Sequence, residues 1–569
     1  MSKRTLLVLA AIAALSCKGK VETEGKSGSV ETSPKAEPGE EPAATPDDGK
    51  LDPATRKKAI EETLAAVPDI QKQVAELREL QFKSDVPAAH QTQDDFRKFV
   101  QGEIKAELPP DKSMLYTRAL HRIGLLKSAE RDLASLLEDA LVTQAGAYYD
   151  PKQKKFFVVM VSTNAMERNT ITAHELTHAL QDQHFDLAKY YGEGQEPKLT
   201  EDQLNARRFI VEGEATVLML AQVGKGMMNV NLLKGPATKQ IATQLKMFAG
   251  MSIEQLVAMT KTQAASFAGA GDDFKKAIEA MDTIPLYILV PLLDSYMKGT
   301  LPVFEAYMAA GWDGVATLYR APPESTEQVL HPKDKLIGKR DLPVAIDLGA
   351  GPAGYKEIHS EVIGELGWRV YFMLWEHPKA NDAAAGWDGD RVAVYQKGDQ
   401  LVGLIATTWD SVSDAQDFAT AYRETLKKRY PGKAPVQVVR QGKDVFIVDG
   451  SGQAGLMAVV RKANKTPVKA QPNSTIVAKP GSGKDEPAAG KGGDANAKLK
   501  KLANRACACK SKSCGNKVLD DFVAFAKAYA NASGDQEAAN QQGQRLGKCL
   551  IEAGVDSKVL MDKLNAAMK

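Results

Sequence analysis

This chain of 569 residues has almost no net charge, few cysteines and few histidines. Its 74 Lys and Arg stand against 72 Asp and Glu, a formal balance of +2. A nucleic-acid reader normally shows a basic stripe. No long single-sign run crosses the middle of the chain, so that class is excluded. The five cysteines include no Cys-x-x-Cys-His, which excludes c-type haem attachment. No internal repeat stands out. What is present is ordinary for a soluble globular protein: 43% hydrophobic and 26% charged residues. The length exceeds that of one ordinary domain.

The N-terminus reads "MSKRTLLVLAAIAALSCKGK". Lys3 and Arg4 form a charged start, and Leu6 to Leu15 a short apolar run. A membrane-spanning helix needs about 20 apolar residues, so residues 1–17 read as an export signal rather than as structure. The end, "ALSC", resembles a bacterial lipobox, which implies cleavage before Cys17 and acylation of that residue. The pattern prefers Leu three places before the cysteine; here Ala14 is there and Leu15 follows. The rival is ordinary cleavage that leaves Cys17 a free thiol. Lipidation would anchor the protein in the bacterial cell envelope, facing the periplasm or the exterior. Residues 18–50 are rich in Glu, Lys, Gly, Ser, Pro and Thr. They cannot bury enough surface to offset ordering entropy and read as a disordered tether.

Residues 51 to about 145 show helical spacing. "GAYYDPKQKKFFVVMV" then predicts a hairpin about Asp-Pro-Lys. "STNAMERNTITAHELTHALQDQHFDLAKYY" returns to helical spacing, with Ala173, Leu176, Ala179, Leu180 and Leu187 on one apolar side. His174 and His178 fall away from it. Helices continue from 204 to 320. A β-β-α-β-β module is expected over about 386–462: two strands about Lys-Gly-Asp, an amphipathic helix carrying Ala415, Phe418, Tyr422 and Leu426, and a second hairpin. Residues 463–498 read as a second disordered linker, and residues 499–569 as a small helical unit.

Cys507, Cys509, Cys514 and Cys549 all lie in that last unit. A segment of about 70 residues has too little core to be comfortable alone, so disulfides are the expected staple in an exported chain. Three connectivities stay open. A zinc site made only of cysteines is the rival.

"HELTHALQDQH", His174 to His184, carries the chemistry. Histidines four apart share one helix face, so both imidazoles can reach one metal. Glu175 beside the first histidine faces the water that the metal activates and can take its proton. With only 8 histidines in the chain, a chance match is uncommon. A catalytic zinc site wants three protein ligands. His184 has the spacing of the third metzincin ligand, but Gln181 stands where that pattern needs a turning Gly. If the helix continues, six residues place His184 about 240° around from His178. Its expected role is a hydrogen bond near the helix end.

The other third ligand lies in "NARRFIVEGEATVLML", 34 positions beyond His178. Glu212 opens Glu-Gly-Glu-Ala, with Glu214 as the alternative. Gly213 would let two helices approach closely. This stretch resembles the second-helix pattern of gluzincins, zinc proteases in which a Glu completes a His₂Glu site. More widely, "YYDP" (148–151), "HELTHALQDQ" (174–183), "EGEA" (212–215), "PPESTEQVLHP" and "GWDGDRVAVY" are similar to those of exported bacterial and archaeal peptidase-like proteins, over roughly residues 75–450. The resemblance implies a gluzincin-like core, mainly α with α+β parts, and zinc on His174, His178 and Glu212. It implies Glu175 as general base and then proton donor to the leaving amine. It also implies that "KFFVVMV" is a sheet edge that pairs with extended substrate; the alternative is a plain core strand. His331 and Tyr371 are candidates to stabilise the oxyanion. Asp182 is either a carboxylate orienting a ligand or a helix-surface group. Asp388 and Asp390 lack the remaining ligands of a calcium loop and read as a turn.

The function expected is an exported, membrane-tethered zinc metallopeptidase, with residues 51–462 as the metallopeptidase-like domain and a peptide or protein as substrate. The rival is a catalytically silent zinc scaffold that binds a partner. The intact Glu175 speaks against it.

Overall fold

The computed structural model describes residues 52–142, 146–253, 255, 283–450, 455–477, 492–509, 511–528 and scattered positions between 542 and 563, with 160, 163, 229 and 236 excepted. The expected export signal, Cys17 and the tether lie outside the described residues. The chain divides into two compact units, one running to Val477 and the other from Ala478. The first is α+β, with helices and three separate sheets.

Helix α1 spans Pro53–Arg78. Asp52 starts it by accepting from the amides of Ala54 and Thr55, which satisfies two otherwise orphaned donors. It ends where Glu79 turns left-handed, at φ 56°. Val67, Ile70 and Val74 are buried along one face. They pack against Ala173, Leu176, Ala179 and Leu180. Those four lie on α5, Ala165–Phe185, which Asn164 caps through the amide of Met166. Between α1 and α5 come α2 (Gln93–Glu107), α3 (Pro110–Arg122) and α4 (Leu133–Val142). Leu187 departs from the expected apolar stripe. Asp186 breaks α5 at φ 54°, so Leu187 opens the short helix α6, Leu187–Tyr190, and joins the other core.

The first sheet contains β1 (Ala88–His90), β2 (Ala147–Asp150) and β3 (Lys155–Val158), in the order β1-β3-β2. β2 and β3 form an antiparallel hairpin, and β1 pairs with β3 in parallel. This corrects one expectation. β3, within "KFFVVMV", is the central strand and has no free edge. The outer strand beside α5 is β2.

Helix α7, Glu201–Met228, packs on α5 and α1 and on helices Leu286–Met297 and Thr300–Ala310. A Cβ on Gly213 would lie 2.0 Å from the carbonyl oxygen of Gly299, which immediately precedes the second of those last two helices. The two backbones touch there, and only a residue without a side chain permits it.

A five-stranded antiparallel sheet follows, in the order β5-β6-β7-β9-β8. Its strands are β5 (Lys356–Glu361), β6 (Trp387–Lys397), β7 (Gln400–Trp409), β8 (Val436–Gln441) and β9 (Asp444–Asp449). Helix Val412–Arg429 covers one face, with Phe418 and Tyr422 against Trp368 and Trp409. On the other face Leu456 and Val460 pack with Val402, Leu404 and Phe446. Residues 464–467, expected in a linker, form a strand, β10, that pairs antiparallel with β4 (Val344–Asp347). Ile476 is also buried. Residue 463 is therefore still inside the first unit. The edge residues of β10 are exposed and polar, which hid the strand in the composition.

The second unit contains helices Gly492–Ala508 and Lys512–Ala528. Leu499, Leu502, Ala503, Val518, Leu519, Leu546 and Leu550 form a small core. Disulfides join Cys507 to Cys549 and Cys509 to Cys514. Among the described residues no helix is long and apolar enough to cross a membrane.

Candidate metal centre

Helical pitch places His174 and His178 one turn apart on α5, on the face opposite the α1 contact. Their rings are 4.8 Å apart, edge to face. Across from them, α7 presents Glu212. Its Oε2 lies 3.3 Å from His174 Nε2 and 3.5 Å from His178 Nε2. The candidate ligand atoms all fall within 4.8 Å of one another. These spacings would let one metal ion sit among the three ligand atoms. His178 Nε2 is buried without a hydrogen-bond partner; at 3.5 Å its contact with Glu212 is electrostatic.

The electrostatics agree with a cation site. Burial alone would raise Glu212, but His178 and His174 outweigh it and bring the carboxyl down to about 2. Burial lowers His174. It would also lower His178, but there Glu212 prevails and the imidazole is raised. Glu212 thus keeps its negative charge in spite of burial, and a metal binding there would displace any proton from the nitrogens that ligate it.

Glu175 points into the same region. Its Oε2 accepts from the amide of Tyr149, at 2.9 Å. Its Oε1 is buried with no partner. Burial pushes this carboxyl up to about 8, helped by Glu212 and opposed by His178. Tyr149 lies on β2, so the outer strand and the candidate base are tied directly.

The rest of the motif has separate tasks. Gln181 Oε1 is 2.8 Å from His178 Nδ1. Gln181 Nε2 donates to Val211 O and to Glu214 Oε2, both at 3.0 Å. Two acceptors on that nitrogen fix the amide orientation, so Nδ1 must be the donor and carry the proton. Nε2 is then the nitrogen left to ligate a metal. Glu214 therefore backs the site and does not join the cluster. Asp182 is buried, and neither of its two expected roles is seen. It accepts from Tyr149 OH and Lys154 Nζ, both at 2.7 Å, and from the amide of Leu187. It holds β2 and the helix end. His184 Nε2 lies 2.7 Å from Gln81 O, outside the cluster, and α5 runs through Gln181 without a bend.

His331 and Tyr371 have partners away from the three ligands. His331 Nε2 is 2.9 Å from Glu365 Oε1. Tyr371 is fully buried, stacked on Tyr422 and bonded to Thr425. Asp388 and Asp390 lie in β6 and not in a turn. Asp390 is buried and accepts from the amides of Ile363 and Gly364 and from the indoles of Trp387 and Trp368. A second acidic group, Glu327, Asp341 and Asp410, has the ammonium of Lys335 at its centre, at 2.5, 2.8 and 2.6 Å.

Two tyrosines went unread in the sequence. Tyr296 stacks on His174 with ring centroids 5.6 Å apart. Tyr191 is raised first by burial and then by the charge of Glu212. Each sits in an apolar or aromatic run where nothing marks it.

A family model described as a domain of unknown function (DUF8575) matches residues 353–479. That segment holds the five-stranded sheet and β10, and none of the candidate ligands. Neither the curated proteins nor the solved structures include a match to this chain.

Proposed function

We propose that this chain is a zinc metallopeptidase of gluzincin type, hydrolysing a peptide or protein substrate. The observation that carries the reading is the convergence of His174, His178 and Glu212 beside Glu175, with His178 held as the Nδ1–H tautomer. These three would hold zinc. Bound zinc supplies Lewis acidity, polarising a carbonyl and lowering the pKa of water. Glu175 Oε1 is the oxygen left to take a proton from the attacking water and to return it to the leaving amine. The Tyr149 amide holds the other oxygen and so aims the carboxylate. Extended substrate could not pair with β3, which β1 and β2 flank on both sides. The sequence of residues 1–50 supports export, a lipid on Cys17 and tethering at the bacterial cell envelope.

One observation favours the rival, a silent zinc scaffold that binds a partner: His174, Glu175, His178 and Glu212 are each 0–4% exposed. Zinc content, cleavage of casein and a Glu175→Gln variant decide between them. The proposal expects stoichiometric zinc in both proteins and cleavage only by the wild type. Zinc without turnover on a broad peptide library selects the scaffold. Cleavage that persists in the variant removes Glu175 from the mechanism.

A further inference from the structure

The second half of "HELTHALQDQH" ties the metal face to the N-terminal segment. Gln183 Nε2 donates to Ser84 O at 3.0 Å, and its Oε1 accepts from the amide of Lys83 at 2.7 Å. His184 reaches Gln81 O. Upstream on α1, Glu62 pairs with Arg168 of α5 and Glu76 with Lys225 of α7. The Gln183, His184 and Glu76 contacts are solvent-touched and could form or part cheaply, and in the Glu62–Arg168 pair the carboxylate is half exposed although Arg168 is buried.

Arg78 is different. Its side chain is 4% exposed, and its Nε is paired with Glu214 Oε1, whose side chain is 1% exposed. The guanidinium also lies over the Trp312 ring, 4.3 Å from its centroid. Tyr319 OH donates to the other oxygen of Glu214. That same oxygen, Oε2, accepts from Gln181 Nε2, and Gln181 Oε1 meets His178 Nδ1. Burying the Glu214 carboxylate without that counter-charge is costly. With Arg78 gone, the contact that fixes Oε1 is lost and the carboxylate can turn away from Gln181, leaving that amide nitrogen with Val211 O alone.

We infer that Arg78 is a positioning residue for the metal ligand His178, acting through Glu214 and Gln181. Helix α1 is then a built-in part of the metal centre and not a detachable pro-segment. The inference rests on the metal reading above, though not on peptidase activity. Its chain of contacts is specific: a cation on α1, a carboxylate and an amide on α7 and α5, and the non-ligating nitrogen of one histidine. Partners of this kind set the basicity and orientation of a ligating imidazole, and their loss typically costs 10–100-fold in metal affinity.

The test uses the full-length protein, zinc affinity by chelator competition, and the melting temperature of the metal-free form. The variants are Arg78→Met and the double variant Arg78→Met/Glu214→Gln. Arg78→Met is expected to weaken zinc binding at least tenfold and to lower the metal-free melting temperature. The double variant replaces a buried ion pair by neutral groups of similar size, a change that folds tolerate well. It should recover the melting temperature yet keep a loss of about tenfold in zinc affinity, since the ion pair that anchors the side chain at position 214 is gone. Should Arg78→Met fail to fold, the double variant decides alone. Wild-type zinc affinity in either variant overturns the proposal. So does a double variant that does not fold, because Arg78 then serves packing. A wild-type protein that binds no zinc overturns the metal reading itself, a separate outcome.

Discussion

Replacing Gly213 by Ala sets two effects of opposite sign against each other. Gly213 lies inside α7, where Ala is the better helix former by about 1 kcal/mol. On local grounds the variant should be more stable. The structure predicts the reverse. The new Cβ would lie 2.0 Å from Gly299 O and 2.2 Å from Gly299 C. Ordinary contacts of such atoms are well above 3 Å, so the backbones must part by about 1 Å or more. Both clashing atoms are main chain and cannot rotate away. Overpacking of this kind costs about 1–3 kcal/mol, occasionally more. After the propensity gain, the net expectation is a loss of up to about 2 kcal/mol, and more where the main-chain clash exceeds the usual range. Urea unfolding followed by tryptophan fluorescence measures it cleanly, because all five tryptophans lie in the first unit. Zinc affinity should fall with stability, since Glu212 is the adjacent residue and moves with the helix. A variant as stable as the wild type, or more so, would refute the close approach of the two backbones.

Glu212→Ala should strip most of the zinc, while His184→Ala should keep it with a stability loss of about 1 kcal/mol from one hydrogen bond; metal analysis of folded variants separates them, and the opposite result would make the site metzincin-like. Burial raises Asp202 from 3.8 to about 8, against the hydrogen bonds from Thr326. The folded chain therefore keeps a proton that the unfolded chain releases near pH 4, so this stabilisation is complete below that value and is lost as pH rises toward 8. Asp202→Asn cannot ionise, so its melting temperature should fall less than that of the wild type between pH 5 and pH 8; an unchanged slope refutes the assignment. Thiol labelling of the denatured, unreduced protein should leave all four C-terminal cysteines unmodified. Cys507–Cys549 closes a span of 42 residues and Cys509–Cys514 one of 5, so loop entropy gives about 4 and about 2 kcal/mol. Cys549→Ser should therefore open the second unit to protease more than Cys514→Ser; equal sensitivity would refute the ranking.

Much of the site was written locally. That two histidines four apart share a helix face follows from pitch alone, and so does the direction of His184 once Gln181 fails to turn the chain. The helix α5, the hairpin before it and the strands β6 to β9 were legible because their periodicities differ and their turns are short. The C-terminal staples were legible as a number of cysteines, not as pairs. What sequence left open was every question that depends on which surface meets which. Whether "KFFVVMV" is an edge depends on β1, three residues from Ala88 to His90, too short to show a pattern and distant in the chain from its partners, with Ala88 paired to Phe156. The motif helix shows Gln181 and Asp182 as neighbours, yet one orients a ligand and the other holds β2, because they point to different partners. In a one-dimensional reading Glu212 is preferred to Glu214 by motif match alone. Two residues on a helix face about 160° apart after the full turn is taken out, so the packing of α7 against α5 sends one to the histidines and the other to Arg78. Sequence determined the local frame, since backbone geometry and side-chain period act over a few residues. Only the tertiary structure decided the roles, since a buried charge takes its meaning from the partner that folding brings to it.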